Sequence, residues 1–217
     1  MSFGRRPWAA AAPVIAAVSV FGVSYGVLAA AAGLPAWLAV AMSAIVFAGS
    51  SQFAAVAILG TGGSAAAAVL SGALLNSRYL GTGAVATRVL PGGRLRRFLL
   101  AQLVVDESFA LAVGAGTPQH PDPRMLVGSG TALWIGWVGG SVIGSVLGPV
   151  VGDPATFGLD AAFPALFLGL LWPLLRRREG IVAAVAGGVT AAALLPFTSP
   201  GLALAAAAVA GLAAGGR

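Results

Sequence analysis

The sequence predicts an all-α fold, a polytopic transmembrane helix bundle, and three observations carry that expectation. Only 8% of the 217 residues are charged while 59% are hydrophobic; a water-soluble domain carries about a quarter charged residues to clothe its surface. Mean hydropathy is +0.96. From Pro7 to Ser77 no Asp, Glu, Lys, Arg or His occurs, and such a run holds two or three bilayer crossings at about 20 residues each. The expected organisation is a single integral membrane domain over residues 1–217.

Glycine and proline punctuate the apolar segments, which read as 9–32, 36–60, 64–87, 98–115, 129–151, 159–175, 180–196 and 201–215. The first follows Arg5-Arg6 and an Ala-rich stretch, the look of a cleaved leader. It outlasts the roughly 15-residue apolar core of a leader, so a first membrane helix with a cytoplasmic N-terminus is expected. Gly33-Leu34-Pro35 ends it. The second segment contains Ala48-Gly49-Ser50-Ser51-Gln52, polar and helix-weakening, and is expected to break there. Thr61-Gly62-Gly63 and Pro91-Gly92-Gly93 bound the third, which holds Arg78, and the fourth holds Asp106-Glu107. His120 falls in the Pro-rich stretch 116–124 as a solvated loop residue. In the fifth, glycines recur at Gly136, Gly140, Gly144, Gly148 and Gly152, a spacing shared by Gly22 and Gly26. Small residues one turn apart let helix backbones approach closely in lipid. Trp8, Trp37, Trp134, Trp137 and Trp172 are expected as interfacial anchors.

The net charge of +6 does not point to nucleic acid, because most arginines sit at segment ends, where the positive-inside rule places them. They cluster at Arg5-Arg6, at Arg88 with Arg94, Arg96 and Arg97, and at Arg176-Arg177-Arg178. If every segment crossed, the Arg88–Arg97 cluster would lie outside. If both 36–60 and 153–175 re-enter, every cluster is cytoplasmic and only Arg124 lies outside; full crossings with weak charge bias remain the alternative. Under the re-entrant topology the segments 9–97 and 129–197 read as two inverted repeats with broken or re-entrant second elements. That is a common plan for secondary transporters, with the site at the repeat interface.

Charge inside apolar segments marks the candidate site, since such residues are costly and usually paired. Arg78 lies fourteen positions before Gly92 and Asp106 fourteen after it. At about 1.5 Å per residue the two reach similar depths on adjacent antiparallel helices, so Asp106 is the expected partner of Arg78. Glu107, turned roughly 100° away on a helix, is free to face elsewhere. The pair reads either as a static brace or as a site where a carboxylate exchanges protons or Arg78 meets a substrate carboxylate. Ser50, Ser51 and Gln52 sit where a broken helix would present its N-terminus to an anion; otherwise they bond back to carbonyls in a bent helix. Asn76, roughly 200° round from Arg78, is expected against a different neighbouring helix. Asp160 caps a helix start or lies in the cavity. No residue is expected to be catalytic. With no cysteine and one histidine, neither a metal site nor a cofactor is expected.

At these residues the chain resembles the AzlC-type branched-chain amino acid permease family. The likeness runs through Phe21-Gly22 to Tyr25-Gly26, Met42-Ser43, and Val46-Phe47-Ala48-Gly49-Ser50-Ser51-Gln52-Phe53. It continues in Leu75-Asn76-Ser77-Arg78-Tyr79, Asp106-Glu107-Ser108-Phe109, and Asp160-Ala161-Ala162-Phe163-Pro164-Ala165-Leu166-Phe167. The resemblance implies the large subunit of a two-component AzlC/AzlD exporter in the cytoplasmic (inner) membrane. It implies a small AzlD-type membrane subunit as partner, branched-chain amino acids as substrate, and protons as the driving ion. Family members commonly carry histidine after the Asn-x-Arg arginine; here Tyr79 stands, so a proton role does not carry over at that position. The expected function is a secondary transporter. A passive channel and a non-transporting membrane scaffold are the other readings.

Overall fold

The computed structural model describes residues 6–151, 174–198 and 200–215, with isolated positions between 158 and 172. The described residues form helices and connecting turns, with no strand. In order they are α1 (Arg6–Ala31), α2 (Ala36–Ile45), α3 (Gly49–Gly60), α4 (Ala65–Asn76), α5 (Tyr79–Val89), α6 (Arg94–Ala101), α7 (Asp106–Ala115), α8 (Pro123–Val151), α9 (Arg178–Leu194) and α10 (Pro200–Gly215). The expected element 153–175, apart from isolated positions, and Asp160 lie outside the described residues.

Among the described residues, helices α1 and α8 are the two long and apolar enough to cross a bilayer unaided, and they pack together as the spine of the bundle. The glycine spacing explains how closely. A Cβ at Gly26 would overlap the backbone of Ser141 and Gly144, and one at Gly144 would overlap the carbonyl of Val23. Gly22 and Gly140 meet the partner helix backbone in the same way, and Gly136 faces the Ser19 side chain. Gly144→Val should therefore force the two helices apart and cost about 1–3 kcal/mol, the usual penalty for overpacking. A thermal melt of the purified protein in detergent checks this; an unchanged midpoint would remove the close approach as a source of stability.

Helices α2 and α3 pack on this spine, α4 lies against α3, and α7 against α8. Helix α1 ends at Gly33 (φ 78°) and α3 at Gly62 (φ 78°), the two breaks that the glycines mark. In each the glycine turns left-handed, so that the last carbonyls are met by the N–H groups of Leu34 and Gly63. Helices α9 and α10 pair with each other, and α10 rests on α4.

Three expected segments are less regular than the sequence suggests. The segment 36–60 breaks at residues 46–48, just before the polar stretch, so Gly49–Gln52 is the first turn of α3 and not itself the interruption. Phe47 there holds a left-handed backbone (φ 43°), a conformation that disfavours a side chain with a Cβ. The segment 64–87 loosens at Ser77 and Arg78 between α4 and α5. The segment 98–115 is no straight helix, because α6 and α7 meet at 111°.

Not every tryptophan lies at the surface, where an interfacial anchor must be. Trp8, Trp37 and Trp172 are exposed, but Trp137 is 3% exposed in the main core with Tyr25 and Phe53. Its ring stacks on Tyr25 at 5.8 Å between centroids and meets Phe53 edge-on at 6.0 Å. Trp134 is also partly buried against that core, where its indole N–H donates to the Ala44 carbonyl at 3.0 Å.

Candidate functional site

Two helix breaks converge on one small cavity. The first, at 46–48, is braced by Gln52, which is fully buried. Its Oε1 accepts from the Ala48 N–H at 3.2 Å and from the Trp137 indole N–H at 3.1 Å, while Nε2 donates to Ser43 at 3.0 Å. Ser43 in turn shares a 2.6 Å hydrogen bond with Ser141. This network ties α2, α3 and α8 together, so Gln52 holds the break open and does not face the cavity. Ser51 donates back to the Ala48 carbonyl at 2.9 Å. The second break, at 102–105, is locked by Ser108. Its hydroxyl accepts from the Val105 N–H at 3.0 Å and donates to the Leu103 carbonyl at 2.7 Å. Gln102 donates its side-chain N–H to the Ile45 carbonyl, which joins the two breaks directly.

Arg78 stands where they meet. One nitrogen of its guanidinium lies 2.9 Å from Asp106 Oδ2, 2.7 Å from the Ser50 hydroxyl and 3.1 Å from the Tyr79 hydroxyl. Its Cζ lies 5.0 Å from the centre of the Tyr79 ring. The expected partner is thus the observed one, but by another route. Asp106 opens α7 just past the 111° bend; no pair of straight antiparallel helices brings it there. About a third of each side chain is exposed, 33% for Arg78 and 30% for Asp106.

The cavity holds about 40 Å³ and is lined by Gly49, Ser50, Arg78, Tyr79, Asp106 and Glu107 against apolar residues of α1 and α8. Glu107 does not face elsewhere. The cavity wraps the first turn of α7, so neighbouring carboxylates both border it, and Glu107 has no ion-pair partner among the described residues. Such a space takes a water or two and is too small for an amino acid. The N-terminal ends of α3 and α7 both abut it, and a helix N-terminus favours negative charge.

Asn76 lies apart from this site, as its angular offset from Arg78 predicts. It borders a second, mostly apolar cavity of about 460 Å³ with Leu38, Met42, Val46, Ala55 and Leu59, where Ser51 and Gln52 also form part of the wall. Its Oδ1 is buried and has no hydrogen-bond partner among the described residues, so the expected bond to a neighbouring helix is not made through that oxygen. The first turn of α3 divides the two cavities, with Ser50 on the charged side and Ser51 and Gln52 on the apolar side. Sequence reasoning missed Ser43, Gln102, Ser108, Trp137 and Ser141. Ser43, Gln102 and Ser141 are each a single polar residue in an apolar run, and Ser108 directly follows Asp106-Glu107; the signal was present but does not say what each bonds.

A bundle of apolar helices with broken elements meeting at an internal ion pair defines a polytopic membrane protein. Residues 13–151 match the family described as AzlC protein, and this chain belongs to that family, with a role in membrane transport. It is 32% identical to a membrane protein of Archaeoglobus fulgidus, over 88% of this chain and 84% of that one. It is 28% identical to the branched-chain amino acid transport protein AzlC of Bacillus subtilis, over 85% of this chain and 73% of the relative. To the inner membrane protein YgaZ of Escherichia coli it is 27% identical, over 84% and 78%. No solved structure matches the chain.

Proposed function

We propose that this protein is the large subunit of a secondary transporter that exports branched-chain, or other aliphatic, amino acids across the cytoplasmic membrane in exchange for protons. A small AzlD-type membrane subunit is its proposed partner, and the N-terminus is proposed to be cytoplasmic. The name of the Bacillus subtilis relative supports the substrate class. The observation that carries the mechanism is Arg78 held between Ser50, at the start of one broken helix, and Asp106, at the start of another.

In this reading the substrate carboxylate displaces Asp106 from Arg78, whose planar guanidinium suits a carboxylate. The first N–H groups of α3 and the Ser50 hydroxyl supply further donors. The substrate ammonium turns to Glu107. Asp106, released from its counter-ion, joins Glu107 on the ammonium; a proton that Asp106 takes once the site faces outward ejects the substrate, so the two occupy the site in turn and move in opposite directions. Since the cavity of about 40 Å³ is smaller than a usual ligand site of roughly 300 Å³ or more, binding needs a state in which the breaks move apart. The proposed repeats 9–97 and 129–197, with re-entrant second elements, supply the symmetry for two such states.

Counterflow in proteoliposomes, with and without the small subunit, over a panel of amino acids at two pH gradients, tests the reading. Uphill movement of valine or leucine that follows the pH gradient is expected. Asp106→Asn should abolish the gradient-driven part while the amount of protein in the membrane stays the same. Gradient-driven transport at the wild-type rate in that variant would remove Asp106 from the coupling.

A further inference from the structure

Helix α6 differs from every other helix among the described residues. Leu95, Phe98 and Leu99 project from an arc of about 100° at the helical repeat, and they are 73%, 73% and 62% exposed. Exposed leucines are ordinary on a membrane protein, whose spans face lipid. Here they share an eight-residue helix with Arg94, Arg96 and Arg97, which fall outside that arc and are exposed too. None of the three arginines forms an ion pair among the described residues. Leu100 alone turns inward, onto the core between α5, α7 and α8.

Two further features give this helix a direction and a groove. The 111° bend at residues 102–105 sets α6 across α7, and α7 packs on the long span α8. The helix therefore runs steeply across the line of α7. Where it meets the end of α2, an open groove of about 460 Å³ is lined by Ile45, Phe98, Leu99, Ala101 and Gln102. Ile45 is itself 72% exposed.

We infer that α6 lies in the membrane interface and binds an anionic phospholipid, with an acyl chain in the groove beside Ile45 and Phe98 and the phosphate among Arg94, Arg96 and Arg97. A short helix with an apolar arc and a cationic remainder is the form that seats at the headgroup boundary. Arginines at that level gain from negative lipid and little from neutral lipid. The groove supplies what a bare cationic patch lacks, a place for a chain. Because Gln102 in this groove also bonds the Ile45 carbonyl at the first break, a bound lipid rests against the segment that joins the two breaks. The inference concerns a surface away from the ion pair and stands whether or not the transport reading holds.

The test uses the whole protein in a neutral detergent, titrated with phosphatidylglycerol or phosphatidylcholine and followed by native mass spectrometry. Phosphatidylglycerol should be retained and phosphatidylcholine lost. R94Q/R96Q/R97Q should weaken phosphatidylglycerol on the order of a hundredfold, from roughly fivefold per arginine near a charged surface. Phe98→Ser, with the arginines intact, should weaken it as well, since the chain loses its groove. Both variants are at exposed positions and should elute from gel filtration as the wild type does. Any of three results overturns the inference: equal retention of phosphatidylcholine, unchanged phosphatidylglycerol binding by the triple variant, or competition by soluble glycerol phosphate as effective as by the intact lipid.

Discussion

Arg78→Gln should stop transport and lower stability by about 1–3 kcal/mol. Removing one partner of a buried ion pair costs more than that, because a charge is stranded, but a third of each side chain here meets solvent and screening reduces the loss. The variant leaves Asp106 and Glu107 side by side at one cavity with no cation among the residues lining it. The informative comparison is R78Q/D106N, which removes both members. Stability should return most of the way to wild type, because Asp106 no longer carries a stranded charge and Glu107 forms no ion pair among the described residues in the wild type either, while transport stays absent. A double variant that melts like the wild type and also transports would make the pair a brace. Thermal melts and counterflow on the same preparations separate the outcomes.

Gln52→Leu should destabilise the protein by about 2–6 kcal/mol without touching the ion pair. Leucine is close in volume, so packing changes little. Two donors lose their acceptor, the Ala48 N–H and the Trp137 indole N–H, and each buried donor left unpaired costs about 1–3 kcal/mol. Gln52→Glu, when its carboxyl is protonated, keeps the acceptor for both and can donate its O–H to Ser43, so at acid pH its cost should be smaller. Equal losses for Leu and Glu at that pH would mean that the amide oxygen is not what holds the break. Tryptophan fluorescence during thermal unfolding reads both.

Particular residues show how far the sequence was legible. Charge inside an apolar run is expensive, so Arg78 and Asp106 had to find one another, although the straight antiparallel helices assumed by the spacing are not what brings them together. Small residues one turn apart have one main use between helices in lipid, and Gly26 and Gly144 do sit at such a contact. Glu107 and Gln52 were harder. One residue beyond Asp106, Glu107 was free to turn away, but a helix that starts at the cavity sets both carboxylates of its first turn along it. Gln52 looked like a group for a ligand because its amide is polar in a greasy segment; its partners on α2 and α8 are 9 and 85 residues away in sequence, and no local pattern names them.

The chain by itself therefore determined its solvent, its helices and the ion pair at its centre, since the costs of unpaired charge and of exposed backbone in lipid act on each residue wherever the chain goes. Only the tertiary structure decided where the helices break, which way α6 and α7 bend, and which polar side chains brace the fold instead of facing the cavity. Those outcomes depend on hydrogen bonds between segments distant in sequence, and their geometry exists only once α1 and α8 have packed.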